Sequence, residues 1–499
     1  MRERIQYWRI ATVLFFCLSV GSVTFGQEVD GEKWNEAQYL FYEGNYAEAA
    51  ELYEELLEES PENPGLLLET GICYYRMGTD RQATIDYFQK ALDNAPEDEA
   101  VPELYFYLGK AHHINYDFDA AIHWFEEFKA SIAKNDPLHE DADLFIQMAE
   151  NGKQMVMDKK EWRITNLGEK VNSEYADFRP VLTLDEKVMF FTSRRLWPDE
   201  ENRAFVNQSN GQYFEDVYYS LNVDGEWQDP VISDISSAKR NEASVSITVD
   251  GHQLIIYKDD EEGNGDLFTA DVGNDDLKKP VMLPEQISDD KYWESHGCFS
   301  PDGKTLYFAS DRKGGYGGVD LYKVEMDDKG KWGKPQNLGP EINTPLDEEA
   351  PFMAVDGVTL YFSSNGEMSM GGFDIFYTQM KEDGSWGEKV NMGYPLNTTD
   401  DDIFFVLGAD GKTGYYASSK QLRKDDRGIM ESFGGMDLLK IEFDESYLES
   451  AVFLSGLVLD ADSVPFKEGV EIMITAASNP YDVTFAAPRS LDGGYITLL

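Results

Sequence analysis

Acidic residues stand at equivalent places ahead of short apolar segments, and two carboxylates brought together are a common acid–base pair. Four of them are spaced 52, 55 and 53 residues apart, namely Glu242, Glu294, Glu349 and Asp402. If two converged, one protonated and one ionised, they could cleave a glycosidic bond. Recurrence in almost every repeat favours a structural role, because a catalytic acid and base need unlike surroundings. The sequence therefore predicts no enzyme, and a glycan-binding or glycan-cleaving protein is the alternative.

Other polar groupings offer groups that could hold a metal or a cofactor. The acidic segments 259–262, 347–349 and 400–402 offer oxygen ligands of the kind that calcium prefers, but none has the ordered spacing of a known calcium loop. A solvated acidic surface is the favoured interpretation, with calcium as the alternative. His112 and His113 are adjacent in a predicted helix and point in different directions, so they cannot chelate one ion together. The sequence predicts no metal and no cofactor.

Composition excludes several classes of partner. The chain of 499 residues carries a formal net charge of -51, which opposes binding to nucleic acid and to anionic lipid headgroups. Hydrophobic residues make up 42% and aromatic residues 13%, enough for packed cores in several domains. Beyond the N-terminal segment only Cys73 and Cys298 occur, in different predicted domains, so we expect no disulfide.

The first residues have the pattern of a secretory signal. Basic residues near the start are followed by an apolar stretch over 10–25, which is short for a membrane span. We expect a signal peptide over 1–26 with cleavage after Gly26, and a mature chain without a transmembrane span. Lipid attachment at Cys17 is the alternative interpretation.

A helical repeat follows over residues 30–158. Small residues recur 34 and 38 residues apart, each followed four positions later by an aromatic: Ala49 and Tyr53, Ala83 and Tyr87, Ala121 and Phe125. The small side chain lets two helices approach while the aromatic fills the adjacent space. This pattern resembles the tetratricopeptide repeat. Three repeats and a capping helix over 140–158 are predicted.

Stacked helical repeats present a concave groove that commonly receives a partner segment. The residues chosen to line this groove are aromatic side chains and one histidine: Tyr42, Tyr74, Tyr105 and His112. For each of them, packing inside the helical core is the alternative.

From about residue 160 to 444 the pattern changes to short strands. Asp-Gly turns at Asp250, Asp302, Asp356 and Asp410 lie 52, 54 and 54 residues apart, each ahead of a β-favouring run. A period near 50 residues with four strands in each unit is typical of a β-propeller.

The two ends of this region predict how the propeller closes. Five first strands are visible, but the last unit has no fourth strand. Residues 162–168 match residues 332–339, including Asn-Leu-Gly in both, and stand ahead of the first unit. We expect them to form the missing outer strand of the last blade, which joins both ends of the region in one sheet. Five blades are predicted, and six are the alternative.

The segment 299–312, Phe-Ser-Pro-Asp-Gly-Lys-Thr-Leu-Tyr-Phe-Ala-Ser-Asp-Arg, resembles the WD40-like propeller repeat of TolB-type periplasmic proteins. Its Ser-Asp-Arg end recurs in altered form in the other blades, so these positions should lie on one face. A rim that contacts a partner is the functional hypothesis, and hydrogen bonding to the turn backbone is the alternative. The candidate rim residues are Arg194, Arg195, Lys258, Asp311, Arg312, Asn365 and Lys420.

Residues 450–499 alternate in β fashion and resemble part of a carboxypeptidase-regulatory-like β-sandwich. The predicted fold class is therefore multidomain α + β. A tetratricopeptide α-solenoid is followed by a five-bladed β-propeller and a partial β-sandwich.

The order of these parts resembles a family of outer-membrane-associated proteins of Bacteroidetes-type bacteria. Members usually end in an OmpA-like domain that grips peptidoglycan, and one branch works with the type IX secretion machinery. The resemblance implies a non-catalytic periplasmic scaffold, associated with the outer membrane, that binds envelope or secretion-system proteins. The OmpA-like domain is absent from this chain, so we expect it to reach peptidoglycan only indirectly.

Overall fold

The structure is a computed structural model. It describes residues 30–78, 80–96, 101–207, 211–259, 265–272, 277–289, 291–419 and 432–448, together with strands beyond residue 450. The predicted signal segment, Cys17 and Lys420 lie outside the described residues. The chain divides into two compact units, one with the helices up to residue 157 together with residues 206–212, and the other with residues 158–205 and those from 213 onward.

Seven helices form the described part of the first unit up to residue 157. Side chains of Asn63 and Asp80 accept hydrogen bonds from the first turns of two of them, and Pro64 and Pro102 each begin a helix. The helices are α1 (Gly31–Tyr42), α2 (Tyr46–Glu59), α3 (Pro64–Met77), α4 (Arg81–Asp93), α5 (Pro102–Ile114), α6 (Phe118–Ser131) and α7 (Leu138–Met157).

Small residues set the spacing between successive helices. A Cβ on Gly71 would lie 2.6 Å from the Phe88 ring, and one on Gly109 would lie 2.6 Å from the Phe125 ring. The capping helix α7 is packed in the same way, because a Cβ on Gly152 would meet the ring of Phe118. The predicted stack of helical pairs is confirmed, and its close approaches depend on glycine facing an aromatic ring.

The second unit contains a propeller of five antiparallel sheets. One strand, β1 (Arg163–Asn166), precedes the rest. Blade 1 consists of β2 (Asp177–Leu182), β3 (Val188–Ser193), β6 (Asp216–Val223), β7 (Glu226–Trp227) and β8 (Val231–Ile232), with a hairpin of β4 (Val206–Asn207) and β5 (Gln212–Tyr213) inserted. Blade 2 consists of β9 (Glu242–Ile247), β10 (Gln253–Asp259), β11 (Gly265–Asp271) and β12 (Val281–Met282).

The remaining blades repeat the four-stranded order. Blade 3 consists of β13 (Glu294–Phe299), β14 (Thr305–Ser310), β15 (Asp320–Glu325) and β16 (Gln336–Asn337). Blade 4 consists of β17 (Glu348–Met353), β18 (Thr359–Ser364), β19 (Asp374–Gln379) and β20 (Val390–Asn391). Blade 5 consists of β21 (Asp402–Leu407), β22 (Thr413–Ser418), β23 (Asp437–Glu442) and β1.

Strand β1 closes the propeller as predicted. It pairs antiparallel with β23, with Asn166 opposite Leu439 and Arg163 opposite Glu442. The described blades number five, and each adjacent pair shares a hydrophobic core, including one between blades 5 and 1 that contains Phe191 and Leu438. Closing the ring buries the faces that a single blade would leave exposed.

Beyond residue 450 the structure describes two strand pairs. One joins β24 (Phe453–Leu457) to β27 (Gly494–Leu498), and the other joins β25 (Ile472–Ala476) to β26 (Asn479–Ala487). The predicted β character of this segment is present. Its resemblance to a regulatory-like sandwich stays a prediction.

Candidate functional site

The recurring acids begin the innermost strand of every blade and are at most 1% exposed. In blade 4 the equivalent residue is Glu348, so the choice of Glu349 from the sequence was wrong by one position. The spacing of the sequence already distinguished the two, because Glu348 lies eight residues ahead of its Asp-Gly turn as Glu294 lies ahead of its own. The five acids are Asp177, Glu242, Glu294, Glu348 and Asp402.

Each of these carboxylates joins the first strand of its blade to the end of the second. Glu294 accepts from Ser310 Oγ at 2.5 Å and from Arg312 at 3.0 Å. Lys258 Nζ lies 2.9 Å from Glu242 Oε1. Burial raises the pKa of Glu294 and Glu242 above the ordinary value, although these partners favour the ionised form. The acids are therefore held in internal hydrogen bonds and ion pairs, as the structural interpretation expects.

Two of the predicted rim arginines are packed inside their blades. The Arg312 guanidinium lies 4.6 Å and 5.2 Å from the ring centroids of Phe308 and Tyr322, and it donates to the carbonyl oxygen of Ile287 over 3.0 Å. Arg195 repeats this arrangement with Asp177 in blade 1. Charge, stacking and backbone hydrogen bonds thus hold both groups in place, and their contact with a partner stays a prediction.

The other rim candidates within the described residues also have internal partners. Asp311 accepts from the backbone N–H of Trp293 over 2.8 Å, and Asn365 accepts from that of Asp347 over 2.9 Å. These two side chains orient the residue that precedes each acid. Arg194 donates to Glu215 Oε1 over 2.7 Å.

Three of the four predicted groove residues contact the second helix of a pair or the loop before it. The Tyr74 hydroxyl donates to Glu54 Oε1 over 2.7 Å, and its ring stacks on Tyr87. Tyr105 stacks on Trp124 of α6. His112 Nδ1 lies 3.3 Å from Asp117, just before α6. Their aromatic and polar groups serve packing between helices.

Tyr42 differs from these three, because its side chain is 54% exposed. It lies beside two partly buried carboxylates on the first helices of the next pairs, Glu69 on α3 and Glu103 on α5. Burial raises the pKa of Glu69 to about 7, although Gln38 donates to it over 3.1 Å. Burial and the negative charge of Glu69 raise the pKa of Glu103 to about 7. We call Tyr42, Glu69 and Glu103 the acidic patch.

A second cluster lies at the axis of the propeller, two residues after each acid. We call these five positions the axial ring: Arg179, Ser244, His296, Ala350 and Phe404. Bulges in blades 1, 4 and 5 place this residue outside the regular ladder, whereas Ser244 and His296 stay paired with Ile256 and Ala309. Three of the five have positive φ, with Arg179 at 53°, Ala350 at 50° and Phe404 at 63°.

Contacts within the axial ring cross the propeller. The His296 and Phe404 rings lie 5.2 Å apart, and they come from blades 3 and 5, which are not neighbours. The Arg179 guanidinium lies 5.3 Å from the Phe404 ring centroid and 5.5 Å from that of Tyr257. Ser244 Oγ donates to the carbonyl oxygen of Arg179 over 2.9 Å. Side chains from blades 1, 2, 3 and 5 therefore meet at one place.

Polar atoms of this cluster are buried without a hydrogen-bond partner. They are Nε and Nη1 of Arg179 and Nε2 of His296, and the two residues are 8% and 4% exposed. His296 Nδ1 lies 2.7 Å from Ser295 Oγ and 3.6 Å from Glu349 Oε2. Burial and the charge of Arg179 hold the pKa of His296 well below its ordinary value, so the imidazole is neutral near pH 7.

Arg179 has a neighbouring carboxylate, Glu215, that stays ionised. Burial opposes ionisation of Glu215, but the charges of Arg194 and Arg179 outweigh it and hold the pKa of Glu215 below the ordinary value. Sequence reasoning missed Arg179 and His296. The sequence did contain a signal for them, because the residue two positions after each recurring acid is of a different type in every blade.

Within the described residues no three His, Cys, Asp or Glu side chains come together as a metal site requires. Asp347 and Asp401, from the acidic segments considered for calcium, accept backbone N–H bonds from Val319 and Phe373. Cys73 and Cys298 are both buried free thiols. No helix of the described part combines the length and apolar character needed to cross a bilayer.

Comparison with known proteins identifies the helical unit. Residues 35–99, which cover α1 to α4, match the family model of the tetratricopeptide repeat. The search of curated proteins finds no match. Tetratricopeptide stacks present extended binding surfaces, so the fold of this unit suggests a protein–protein interaction scaffold.

Solved structures similar to the chain include a TolB protein and two enzymes. TolB from Acinetobacter baumannii is 16% identical with a TM-score of 0.35; the match covers 57% of this chain and 63% of that chain. An α-L-arabinofuranosidase from Lactobacillus brevis is 13% identical with a TM-score of 0.33, covering 60% and 94%. The periplasmic gluconolactonase of Pseudomonas aeruginosa is 12% identical with a TM-score of 0.28, covering 64% and 84%. Similarities this low assign no activity.

Proposed function

We propose that this protein is a non-catalytic scaffold of the periplasm, associated with the outer membrane, whose helical unit and propeller bind partner proteins. The acidic patch defines the chemistry of one partner, which is a segment carrying lysine or arginine. That partner is an envelope or secretion-system protein, within a type IX secretion assembly or one linked to peptidoglycan.

The observation that carries this proposal is the exposed ring of Tyr42 beside Glu69 and Glu103. An exposed aromatic contributes contact area at low entropic cost, and two carboxylates that repel each other are relieved by a cation placed between them. Tyr39, three residues earlier on α1, is 64% exposed and extends the aromatic surface.

Binding a cation should release protons from the patch. Glu69 and Glu103 both have a pKa raised to about 7, so they are partly protonated at neutral pH. A cationic side chain stabilises the ionised form, and binding therefore strengthens as pH rises through 7. We expect affinity for a lysine-rich segment to increase about tenfold between pH 6 and pH 8.

A non-catalytic role is supported by the state of the recurring acids. A glycosidase needs one carboxylic acid and one carboxylate with access to substrate. Glu294 and Glu348 are 0% exposed and accept hydrogen bonds from Ser310 and Ser364. A reducing-sugar assay on cell-wall and plant polysaccharides, with Glu294→Gln as a control, should show no hydrolysis. Hydrolysis that the variant loses would establish the alternative.

The test combines a defined peptide with the native envelope. A labelled lysine-rich peptide and its glutamate-rich counterpart are titrated against the chain from Gln27, and the same chain captures partners after mild crosslinking. Replacing Glu69 and Glu103 together by Gln should weaken lysine-peptide binding at least about tenfold and abolish the specific capture.

The matched control is Glu58→Gln with Glu127→Gln, which removes the same charge from exposed positions on α2 and α6. If the control loses binding as much as the patch variant, attraction is a matter of net charge and the acidic patch is not the site. Equal binding of the two peptides would also reject it.

A further inference from the structure

The axial ring breaks the repetition that governs the rest of each blade. The acid that begins the innermost strand is Asp or Glu in all five blades, whereas the residue two positions later is Arg, Ser, His, Ala or Phe. Packing needs common to five similar sheets would select similar side chains at equivalent positions. Different side chains that meet from four of the five blades are instead what a single asymmetric ligand requires.

Within the axial ring, Arg179 gives the strongest indication of a bound ligand. Its charge is permanent, and Nε and Nη1 are buried without a hydrogen-bond partner in a residue 8% exposed. A buried cation with unmet hydrogen bonds is costly, and a planar anion is its strongest partner. Arg195 and Arg312 show how the same propeller pairs a cation elsewhere, since each faces the buried acid of its own blade.

His296 adds a second unmet group at the same place. Its Nε2 has no partner, while Nδ1 lies 2.7 Å from Ser295 Oγ. The neutral ring donates or accepts one hydrogen bond at Nε2 according to its tautomer. A second oxygen of the ligand, either a carboxylate oxygen or a hydroxyl, satisfies it.

The surrounding charges limit the ligand to one negative charge. Glu215, whose ionised form Arg194 and Arg179 both stabilise, and Glu349, 3.6 Å from His296, contribute negative charge near the cluster. A phosphate dianion would be repelled more strongly than a carboxylate, which carries one charge and can accept the unmet hydrogen bonds of Nε and Nη1 of Arg179. The rings of Phe178, Tyr257 and Phe404 lie 5.3 to 5.9 Å from the guanidinium and supply an apolar wall.

We propose that the propeller axis is a binding site for a monoanionic carboxylate, paired with Arg179, hydrogen-bonded to His296 and packed against the neighbouring aromatic rings. A free small acid and the C-terminal carboxylate of a polypeptide share this chemistry. The site depends on the propeller alone and is independent of the acidic patch.

The experiment titrates the full chain with three carboxylates and their neutral counterparts. Benzoate and galacturonate represent free acids, and N-acetylphenylalanine represents a chain terminus. Benzyl alcohol, galactose and N-acetylphenylalaninamide are the controls. We expect at least one carboxylate to bind saturably with a Kd of about 1 mM or lower, and its neutral counterpart to bind at least about tenfold more weakly.

Imidazole nitrogen resonances provide a readout on the unmodified protein. A carboxylate at Arg179 offsets the charge that depresses ionisation of His296, so the His296 Nε2 signal should shift with the same Kd. If no carboxylate in the panel shifts it, or neutral compounds shift it equally, the site does not exist. Shifts with N-acetylphenylalanine alone assign a chain terminus as ligand, and shifts with the free acids alone assign a small acid.

Substitutions then show which side chain contributes to carboxylate affinity. Arg179→Gln should weaken carboxylate binding at least about tenfold, while Arg179→Lys keeps the charge and loses less. The matched control is Arg163→Gln, whose side chain is 75% exposed on β1 and should leave Kd unchanged. Retained affinity in a folded Arg179→Gln protein would overturn the assignment. If that variant does not fold, the resonance titration of the unmodified protein still decides.

Discussion

Blades 3 to 5 and blades 1 and 2 hold their third strands in different ways. In blade 3, Asn337 Nδ2 donates to Asp320 over 2.7 Å, and Asn337 Oδ1 accepts from Asn343 at 2.9 Å. Asn343 also bonds both the N–H and the C=O of Leu321. We call this arrangement of two asparagines, an aspartate and the strand backbone the clasp. Blades 4 and 5 repeat the clasp with Asn391, Asp374, Asn397 and Ile375, and with Asn166, Asp437, Asn172 and Leu438.

Blades 1 and 2 replace the second asparagine by serine. Ser236 and Ser288 bond the N–H and C=O of Val217 and Leu267. Asp216 instead accepts from the indole of Trp197 over 2.6 Å. Blades 1 and 2 also supply Arg179 and Tyr257, which pack together at the propeller axis. The blades that use serine in place of the second asparagine therefore contribute the buried guanidinium with unmet hydrogen bonds and an aromatic ring beside it.

The largest effect should come from breaking a buried ion pair in blade 3. Replacing Arg312 by Ala leaves Glu294 buried without its cation, and the expected loss in free energy of unfolding is about 3 to 5 kcal/mol. Urea denaturation measures it. Arg163→Ala, at an exposed pair with Glu442, should cost less than about 1 kcal/mol.

The same substitution tests the rim hypothesis. If Arg194→Ala combined with Arg312→Ala leaves every co-purified partner in place in a folded protein, these arginines have only the structural role. Loss of a partner without loss of folding would add a binding role.

The two kinds of clasp should differ in strength. Asn343→Ala removes bonds to Leu321 and to Asn337, and the buried groups left unpaired should cost about 3 kcal/mol. Ser288→Ala removes only the bonds to one residue and should cost about 1.5 kcal/mol. Equal losses in urea denaturation would mean that the extended clasp adds no stability over serine.

A further effect concerns Asp216 and depends on pH. Burial raises the pKa of Asp216 to about 8, and one of its oxygens has no partner. An acid whose pKa is higher in the folded state loses stability as pH rises from about 4 to 8, because folding then requires proton uptake. Asp216→Asn should therefore be more stable than the unmodified protein at pH 9, by about 2 kcal/mol, with no gain near pH 4.

Asp320→Asn is the comparison in blade 3. Asp320 accepts hydrogen bonds from the backbone N–H groups of Tyr316 and Gly317 and from the side chain of Asn337. The side-chain NH2 group of an asparagine at this position would face N–H donors and could not accept from them. We expect it to destabilise at every pH. A gain at pH 9 in both variants would show that the two aspartates have the same environment.

Most of the fold was predictable because it repeats. The Asp-Gly turns at Gly251, Gly303, Gly357 and Gly411 have φ between 66° and 70°, as their spacing predicted. The match of Asn166 to Asn337 predicted the closing strand, and both asparagines make the same bonds. The choice of Glu349 was wrong, although the Asp-Gly turn eight residues after Glu348 marks the correct position. The bulges that follow the acids are not visible in a sequence period.

The repeat pattern was enough to predict the helical repeats, the five blades and the strand that closes them, because each depends on local turns and on side chains that recur at a fixed period. The inward turn of Arg312 onto Glu294 and the exposure of Tyr42 follow instead from the three-dimensional packing. It alone brought Arg179 and His296 together from blades 1 and 3. Such contacts depend on backbone bulges and on how neighbouring elements pack, and residues 117 positions apart carry no local signal of meeting.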